Sequence, residues 1–494
     1  MISQGTITIS QQEYSKLKKE HSTLQSENLW LKHQLSELKR LIYGHKSERY
    51  VAPIPNQPTL FELPKAEVVE PQKQEITYSR NKPKSNKRPL RCELPAHLRR
   101  VTEVIEPENI AEGAQKIGEA ITEILEYTPA NIYVRQIIRP KYIVSQNDES
   151  TQIAIAELPT LPIPKGNAGS SLLSHIIVSK FVDHLPFYRI AKIFKRQNVI
   201  ISESTIGGWF GASCRLLEPL YEELKKQILA QNYIMADETP IPVLTKDKPG
   251  ATHRGYHWVY CDSVSKRVFF DYRKSRERAG PDNILENFSG HLQTDGYTAY
   301  NNLKNSSKIT ALACMAHARR KFEHALKSSP KLAGEVMEMF GQLYDIERKA
   351  KDASMQANEI KTLRLQEAKP ILIKMKKWLD DNITLTTPKS AIGMAMGYAL
   401  TLWPRLIRYI DDGKFHIDNN LIENTIRPVA LGRKNYLFAG SHDAAQNAAI
   451  IYSLLATCKL NDVEPYQWLK ETLDQIPDCK TSELYKLLPA NNNV

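Results

Sequence analysis

Tyr233-Ile-Met-Ala-Asp-Glu-Thr-Pro-Ile-Pro-Val243 starts like a β-strand, carries Asp237 near its middle and runs into a proline-broken stretch. Working outward, His257–Cys261 and Arg267–Tyr272 read as strands of an antiparallel meander. In His291-Leu-Gln-Thr-Asp-Gly-Tyr-Thr-Ala-Tyr300, Asp295 ends a short strand before a glycine turn. Ile309–Ala313 is a further strand, feeding a helix from Met315 to Leu326. After a long helical region, Asp418-Asn-Asn-Leu-Ile-Glu-Asn-Thr-Ile-Arg427 opens another helix. Asp418 or an adjacent Asn caps it, which puts Glu423 in its second turn. Two strands and a helix therefore each present a carboxylate. Magnesium takes hard oxygen ligands, and a two-metal phosphoryl-transfer site holds two ions roughly 3.5–4 Å apart. A solvated surface position is the default for any one acid, so spacing alone does not single these out.

Charge and composition narrow the class. The 494 residues carry 67 Lys+Arg against 55 Asp+Glu, a net charge of +12. Such a surplus points to a polyanionic partner, nucleic acid before membrane. The longest uncharged apolar-rich stretches, Ser390–Pro404 and Ala444–Cys458, are 15 residues each, short of the roughly 20 needed to span a bilayer. Met1-Ile2-Ser3-Gln4-Gly5 lacks the build of a signal peptide. Cysteines 92, 214, 261, 314, 458 and 479 never form Cys-x-x-Cys, which fits a reducing cytoplasm. Cys314-x-x-His317 supplies two ligands where tetrahedral zinc needs four, so a structural Cys/His pair is expected rather than a zinc site.

The N-terminal segment is patterned differently. Leu17, Leu24, Leu31 and Leu38 keep a strict seven-residue spacing, with Asn28 at an a position. An a-position Asn fixes register and favours a parallel dimer, and Glu13 and Glu27 face Lys18 and Lys32 of a partner chain. The same pattern also fits an amphipathic helix packed on its own domain. Prolines from 53 to 89 then impose an extended linker, and Arg80–Arg91 holds six basic residues and no acid. That tract suits phosphate tracking, or is a solvated linker. Alternating runs such as Ile132–Ile138 suggest a small β-containing module. Leu185–Arg196 is a helix with Ile190, Ile193 and Phe194 on one side, and after a break Ser202 or Ser204 caps a second helix through Trp209. With Lys192, Lys195 and Arg196 nearby, this reads as a helix-turn-helix, although helical hairpins that never touch DNA look alike.

Ala236-Asp-Glu-Thr-Pro240, Thr294-Asp-Gly-Tyr297, Cys314-Met-Ala-His-Ala-Arg-Arg-Lys-Phe322 and the long block Ile417–Gly440 resemble successive blocks of the DDE transposases of the insertion sequence 66 family. The resemblance extends over nearly the whole chain, including Tyr43–Arg49, Leu94–Arg99 and Ala444–Leu469. It implies a multidomain α+β chain with an RNase H-like α/β catalytic core. The expected parts are a leucine-zipper coiled coil (1–50), a Pro-rich basic linker (51–92), a small β-containing module (93–165) and a helix-turn-helix region (166–228). The core (229–440) carries a helical insertion (325–412), and C-terminal helices follow (441–494).

By the same resemblance Asp237, Asp295 and Glu423 form a triad for two Mg2+ ions, with Mn2+ as substitute. Arg427, on the helical face of Glu423, suits a phosphate or orients that carboxylate, Arg433 and Lys434 suit the DNA backbone, and His317 positions DNA or a ligand. Glu238 should point away from Asp237 as a non-ligand. One departure stands out: the place of the family's frequent zinc module holds no cysteine besides Cys92, so no zinc is expected there.

The function implied is a cytoplasmic, nucleoid-associated transposase with no membrane attachment. It binds element ends as at least a dimer, cuts, and joins them to target DNA with no need of a covalent protein link, and accessory proteins of the same element are further partners. The rivals are an RNase H-like nuclease without strand transfer and a non-catalytic DNA-binding oligomer. Deleting residues 1–45 should abolish stable self-association; an unchanged oligomer in light scattering would exclude the zipper as the main interface.

Overall fold

The computed structural model describes residues 94–106, 115–128, 131–147, 150–245, 250–297, 300 and 308–489. The zipper positions Leu17, Leu24, Asn28, Leu31 and Leu38, the linker and Cys92 lie outside them. The chain is mixed α+β and forms two compact units. The larger runs to Ala318, takes in Gln356–Lys361 and resumes at Tyr398; the smaller comprises Arg319–Met355 and Thr362–Gly397 among the described residues.

The larger unit begins with a four-stranded sheet of β1 (Arg100–Val104), β2 (Gln115–Thr128), β3 (Asn131–Asn147) and β4 (Ser150–Ile155). Alternation in β2 and β3 sends Ile124 and Ile137 to one face, where they pack with Leu161. At the end of β2, buried Glu126 accepts the Ser171 hydroxyl of helix α1 (Ser170–Phe181). A carboxylate suits a helix N-terminus. A Cβ at Gly169 would collide with that carboxylate, so only glycine allows the approach.

Helix α2 (Phe187–Arg196) buries Ile190 and Phe194, one turn apart, and leaves Lys192, Lys195 and Arg196 exposed. Asn198 turns the chain with a φ of 58°. Ser202 then caps α3 (Glu203–Leu229), accepting the Thr205 N–H at 3.1 Å.

The second sheet comprises β5 (Tyr233–Leu244), β6 (Thr252–Asp262), β7 (Arg267–Arg273), β8 (Gly290–Thr294) and β9 (Ile309–Ala313), in the order β7-β6-β5-β8-β9. The β5-β6-β7 meander is antiparallel, whereas β8 pairs parallel to β5 and β9 parallel to β8. Parallel strands are usually buried on both faces, and Tyr233–Ala236 is correspondingly a continuous buried apolar run.

The longer helices that follow are α4 (Met315–Ala325), α7 (Ala391–Leu406), α8 (Asn420–Tyr436), α9 (His442–Leu460) and α10 (Pro465–Gln475), with α5 (Pro330–Asp352) and α6 (Lys369–Ile383) in the smaller unit. That unit packs Phe322 against Phe340, and buried Arg364 makes two bonds to Glu347 at 2.8 and 2.7 Å. A bidentate pair satisfies a guanidinium that burial would otherwise strand.

Edge strand β7 is closed by α9. Ser453 Oγ accepts the Phe270 N–H at 2.8 Å and Thr457 Oγ1 accepts the Val268 N–H at 3.2 Å. Four helical residues rise about 6 Å and two strand residues about 6.8 Å, so hydroxyls at i and i+4 match alternate edge N–H groups. Burial around its circumference explains the uncharged run at 444–458. Among the described residues no helix is long and apolar enough to cross a membrane. Ser453→Ala should leave the Phe270 N–H buried without a partner and cost about 1–3 kcal/mol; urea unfolding monitored by circular dichroism measures it, and a loss within error would remove the edge cap from the fold's stability.

Candidate active site

The β5–β8 pairing ends at Met235 opposite Gln293. Asp237 and Asp295 each lie two residues further on, hence on the same face past the end of the parallel pairing. Asp237 is inside β5, which continues through both prolines to Leu244, and Asp295 comes just after β8. β9 ends beside them, with the Cys314 N–H donating to Thr294 O at 3.1 Å. Crevices beyond the carboxyl ends of parallel strands are where open sheets bind ligands.

A buried polar network brings the third acid to this edge. Tyr233 donates its hydroxyl to Gln293 Oε1 and accepts the His416 N–H at 3.1 Å, while Gln293 Nε2 donates to His416 O at 3.0 Å. Met315 N donates to Ile417 O at 3.0 Å, and the Asn419 N–H donates to Cys314 Sγ at 3.2 Å. Asn419 Nδ2 reaches Ala236 O at 3.4 Å. Asp418 accepts the Asn420 N–H, leaving Asn419 as the N-cap residue of α8, without a side-chain cap bond. Glu423 therefore stands in the first turn of α8, not the second as expected from the sequence.

The acids sense one another. Burial pushes the Asp237 carboxyl well above the ordinary carboxylate range, and Glu238, Asp295 and Glu423 push it further; the Glu238 N–H, donating at 2.7 Å, opposes them. Glu238 is raised by burial, opposed by its bond from Arg276, and raised again by Asp295. It belongs to the same acidic neighbourhood, although its carboxylate is bonded by Arg276. The Arg276 guanidinium also stacks 3.8 Å above the Tyr297 ring.

Asp295 is held from both sides: its carboxylate accepts the Tyr297 N–H at 2.7 Å and its carbonyl accepts the Tyr398 hydroxyl at 2.6 Å. Gly296, with a φ of 92°, lies under Leu402, where a Cβ would approach to 2.8 Å. Sequence reading missed Arg276 and Tyr398, and offered Asn419 only as a helix cap, not for its bonds to Cys314 and Ala236. A phenol in the apolar run 390–404 was the available signal for Tyr398.

The basic residues separate. Arg433 donates to Thr239 Oγ1 at 3.1 Å and to Pro240 O, and burial lowers its pKa from the usual arginine value. Lys434 and Arg427 are exposed, and Arg427 lines a cavity of about 420 Å³ with Phe181, Leu431 and Tyr452. His317 stands 3.8 Å from Glu423, Nδ1 to Oε1. Together with Cys314 these form a group whose ligand atoms all lie within 4.8 Å of one another.

Residues 165–447 match the family model described as "Transposase IS66 family". The chain belongs to the IS66 family of transposases. Residues 453–490 match the "IS66 C-terminal element" and residues 30–102 match "Transposase C of IS166 homeodomain". Two Sinorhizobium fredii (strain NBRC 101917 / NGR234) proteins are similar along most of the chain. "Uncharacterized protein y4jD" is 32% identical, covering 93% of this chain and 94% of its own length. "Uncharacterized protein y4qI" is 32% identical, covering 92% and 88%. No solved structure matches. Membership of the IS66 family implies transposition and DNA binding.

An acid whose folded pKa lies above its unfolded one weakens the fold as pH rises from the unfolded value toward the folded one. Asp237→Asn should therefore raise the melting temperature of the metal-free protein at neutral pH, with the gain fading toward about pH 4, where the unfolded carboxyl also protonates. Magnesium should stabilise the wild type more than the variant. Calorimetry checks both; a lower melting temperature in the variant would show that the buried charge is already compensated.

Proposed function

We propose that this chain binds the ends of its element, cleaves DNA there and joins the freed ends to target DNA, using an RNase H-like core with Asp237, Asp295 and Glu423 as its acidic triad. The observation that carries this reading is the shared register of Asp237 and Asp295 past the Met235–Gln293 pair, with α8 fastened across the same edge. The mixed strand order, antiparallel on one side of β5 and parallel on the other, supports the core assignment.

Clustered, partly buried carboxylates with hard oxygen donors fit divalent magnesium or manganese, and Asp237, Asp295 and Glu423 would hold two such ions. Bound there, the ions supply activation of the attacking oxygen and stabilisation of the leaving one. The chain's own part is to fix the donors: Tyr398 and the Tyr297 N–H orient Asp295, and the Asn419 contacts set the start of α8. Arg276 holds Glu238 outside the triad. Exposed Lys192, Lys195 and Arg196 on α2, with Arg427 and Lys434 on α8, suit phosphate contacts. Arg433 acts through Thr239 and Pro240, and His317 through Glu423.

The zipper leucines and Asn28 would pair two chains, so that both ends are held in one complex working on nucleoid DNA in the cytoplasm. A purely DNA-binding role is disfavoured by Asp237, because acids serving solubility belong on the surface rather than buried among like charges. Hydrolysis without strand transfer is the second reading, and the product decides between them.

With magnesium, Asp237→Asn, Asp295→Asn and Glu423→Gln should each lower cleavage and strand transfer by orders of magnitude while end-binding in gel shifts persists. Glu238→Gln should retain cleavage. Wild-type cleavage in any triad variant would remove that residue from the site. Replacing Lys192, Lys195 and Arg196 by alanine should weaken end-binding and flatten its log–log salt dependence by up to about 0.9 per lost phosphate contact; an unchanged slope would exclude α2 from the DNA interface.

A further inference from the structure

Cys314 follows β9 directly, and His317 lies in the first turn of α4. The sequence offers this pair alone, but the fold adds a third donor from α8. One ligand atom each from Cys314, His317 and Glu423 lies within 4.8 Å of the other two. The sulfur accepts backbone N–H groups from Asn419 and His317. Burial and the Asp418 carboxylate push the thiol's pKa up, and these N–H bonds partly oppose them; a coordinated metal ion deprotonates a thiol outright. The sulfur is buried, whereas the imidazole and the carboxylate each keep 28% exposure. The group therefore has one protein-facing side and one open side. Three protein ligands with an open fourth position is the arrangement of zinc sites that admit water or substrate. Thiolate and imidazole also select zinc-like ions over magnesium.

We propose that Cys314, His317 and Glu423 form a binding site for one zinc-like divalent cation, chemically distinct from the oxygen-only ions suited to Asp237 and Asp295. Binding replaces the thiol proton by metal and releases that proton to solvent. The site does not depend on whether the chain cuts DNA. It shares Glu423 with the acidic triad, so binding is measured without magnesium.

The test uses the full chain with Co2+ alone and with Zn2+ alone. One equivalent of cobalt should produce a thiolate-to-cobalt charge-transfer band in the near ultraviolet, and dialysed protein should retain one zinc per chain by elemental analysis. Cys314→Ser should abolish the band and weaken zinc by more than about 100-fold, beyond the loss usual for an outer-shell partner. His317→Ala, a change on a partly exposed helix surface that leaves the sulfur in place, should weaken zinc similarly and serves if Cys314→Ser fails to fold. Asp295→Asn should bind cobalt as the wild type does, which separates this site from the proposed catalysis. Absence of the band in wild type, or unchanged zinc affinity in folded His317→Ala, would overturn the proposal.

Discussion

The site depends on how the His416–Asn419 segment is fastened across β5 at Ala236 and the carboxyl ends of β8 and β9. Tyr233, Gln293 and Asn419 are buried, and their polar atoms bond to His416, Ala236 and each other's strands. A buried polar group left without a partner costs about 1–3 kcal/mol, so a shifted segment would strand several groups at once. The same bonds couple the register of β8 to the position of α8. Slipping β8 by one residue against β5 would turn Asp295 to the opposite face and move Gln293 away from both partners.

That rigidity lets like charges be gathered. Burial and three neighbouring acids all disfavour ionised Asp237, and one N–H donor opposes them. Such a site lowers the stability of the metal-free fold, a cost that functional sites commonly carry. The compensation lies in the surroundings: the α9 hydroxyls close the β7 edge, and Tyr398 and Gly296 fix the loop after Asp295. Arg276 offsets Glu238 in particular, so the added acid beside Asp237 enters the site already paired with a cation.

Much of the sheet was legible because its strands are short runs with clear boundaries: Ile309–Ala313 appears where the sequence puts it, and the strand before Asp295 ends one residue earlier, at Thr294. The break at residues 197–201 and the Ser202 cap were equally local signals. Less legible were features set by pairing across long separations. Parallel pairing of β5 with β8 leaves no local mark, yet it alone aligns Asp237 with Asp295. Helical spacing put Arg427 beside Glu423, whereas packing gives it a cavity wall with Phe181 and Tyr452. Arg433 reads as a surface cation, but its strand partners Thr239 and Pro240 are visible only once α8 lies over β5.

Glu423 shows how one side chain acquires two chemical contexts. Its place in the first turn of α8 puts a negative charge near the positive end of the helix dipole, a favourable position. From there it contributes to the charge felt by Asp237 and also lies within reach of His317 and Cys314. The first neighbourhood is all oxygen and suits a hard ion; the second adds sulfur and nitrogen and suits a softer one. Cys314 links the two, because its sulfur accepts the Asn419 N–H immediately before the helix that carries Glu423. A change at Cys314 therefore acts on the acidic edge even without touching a carboxylate, through the first turn of α8.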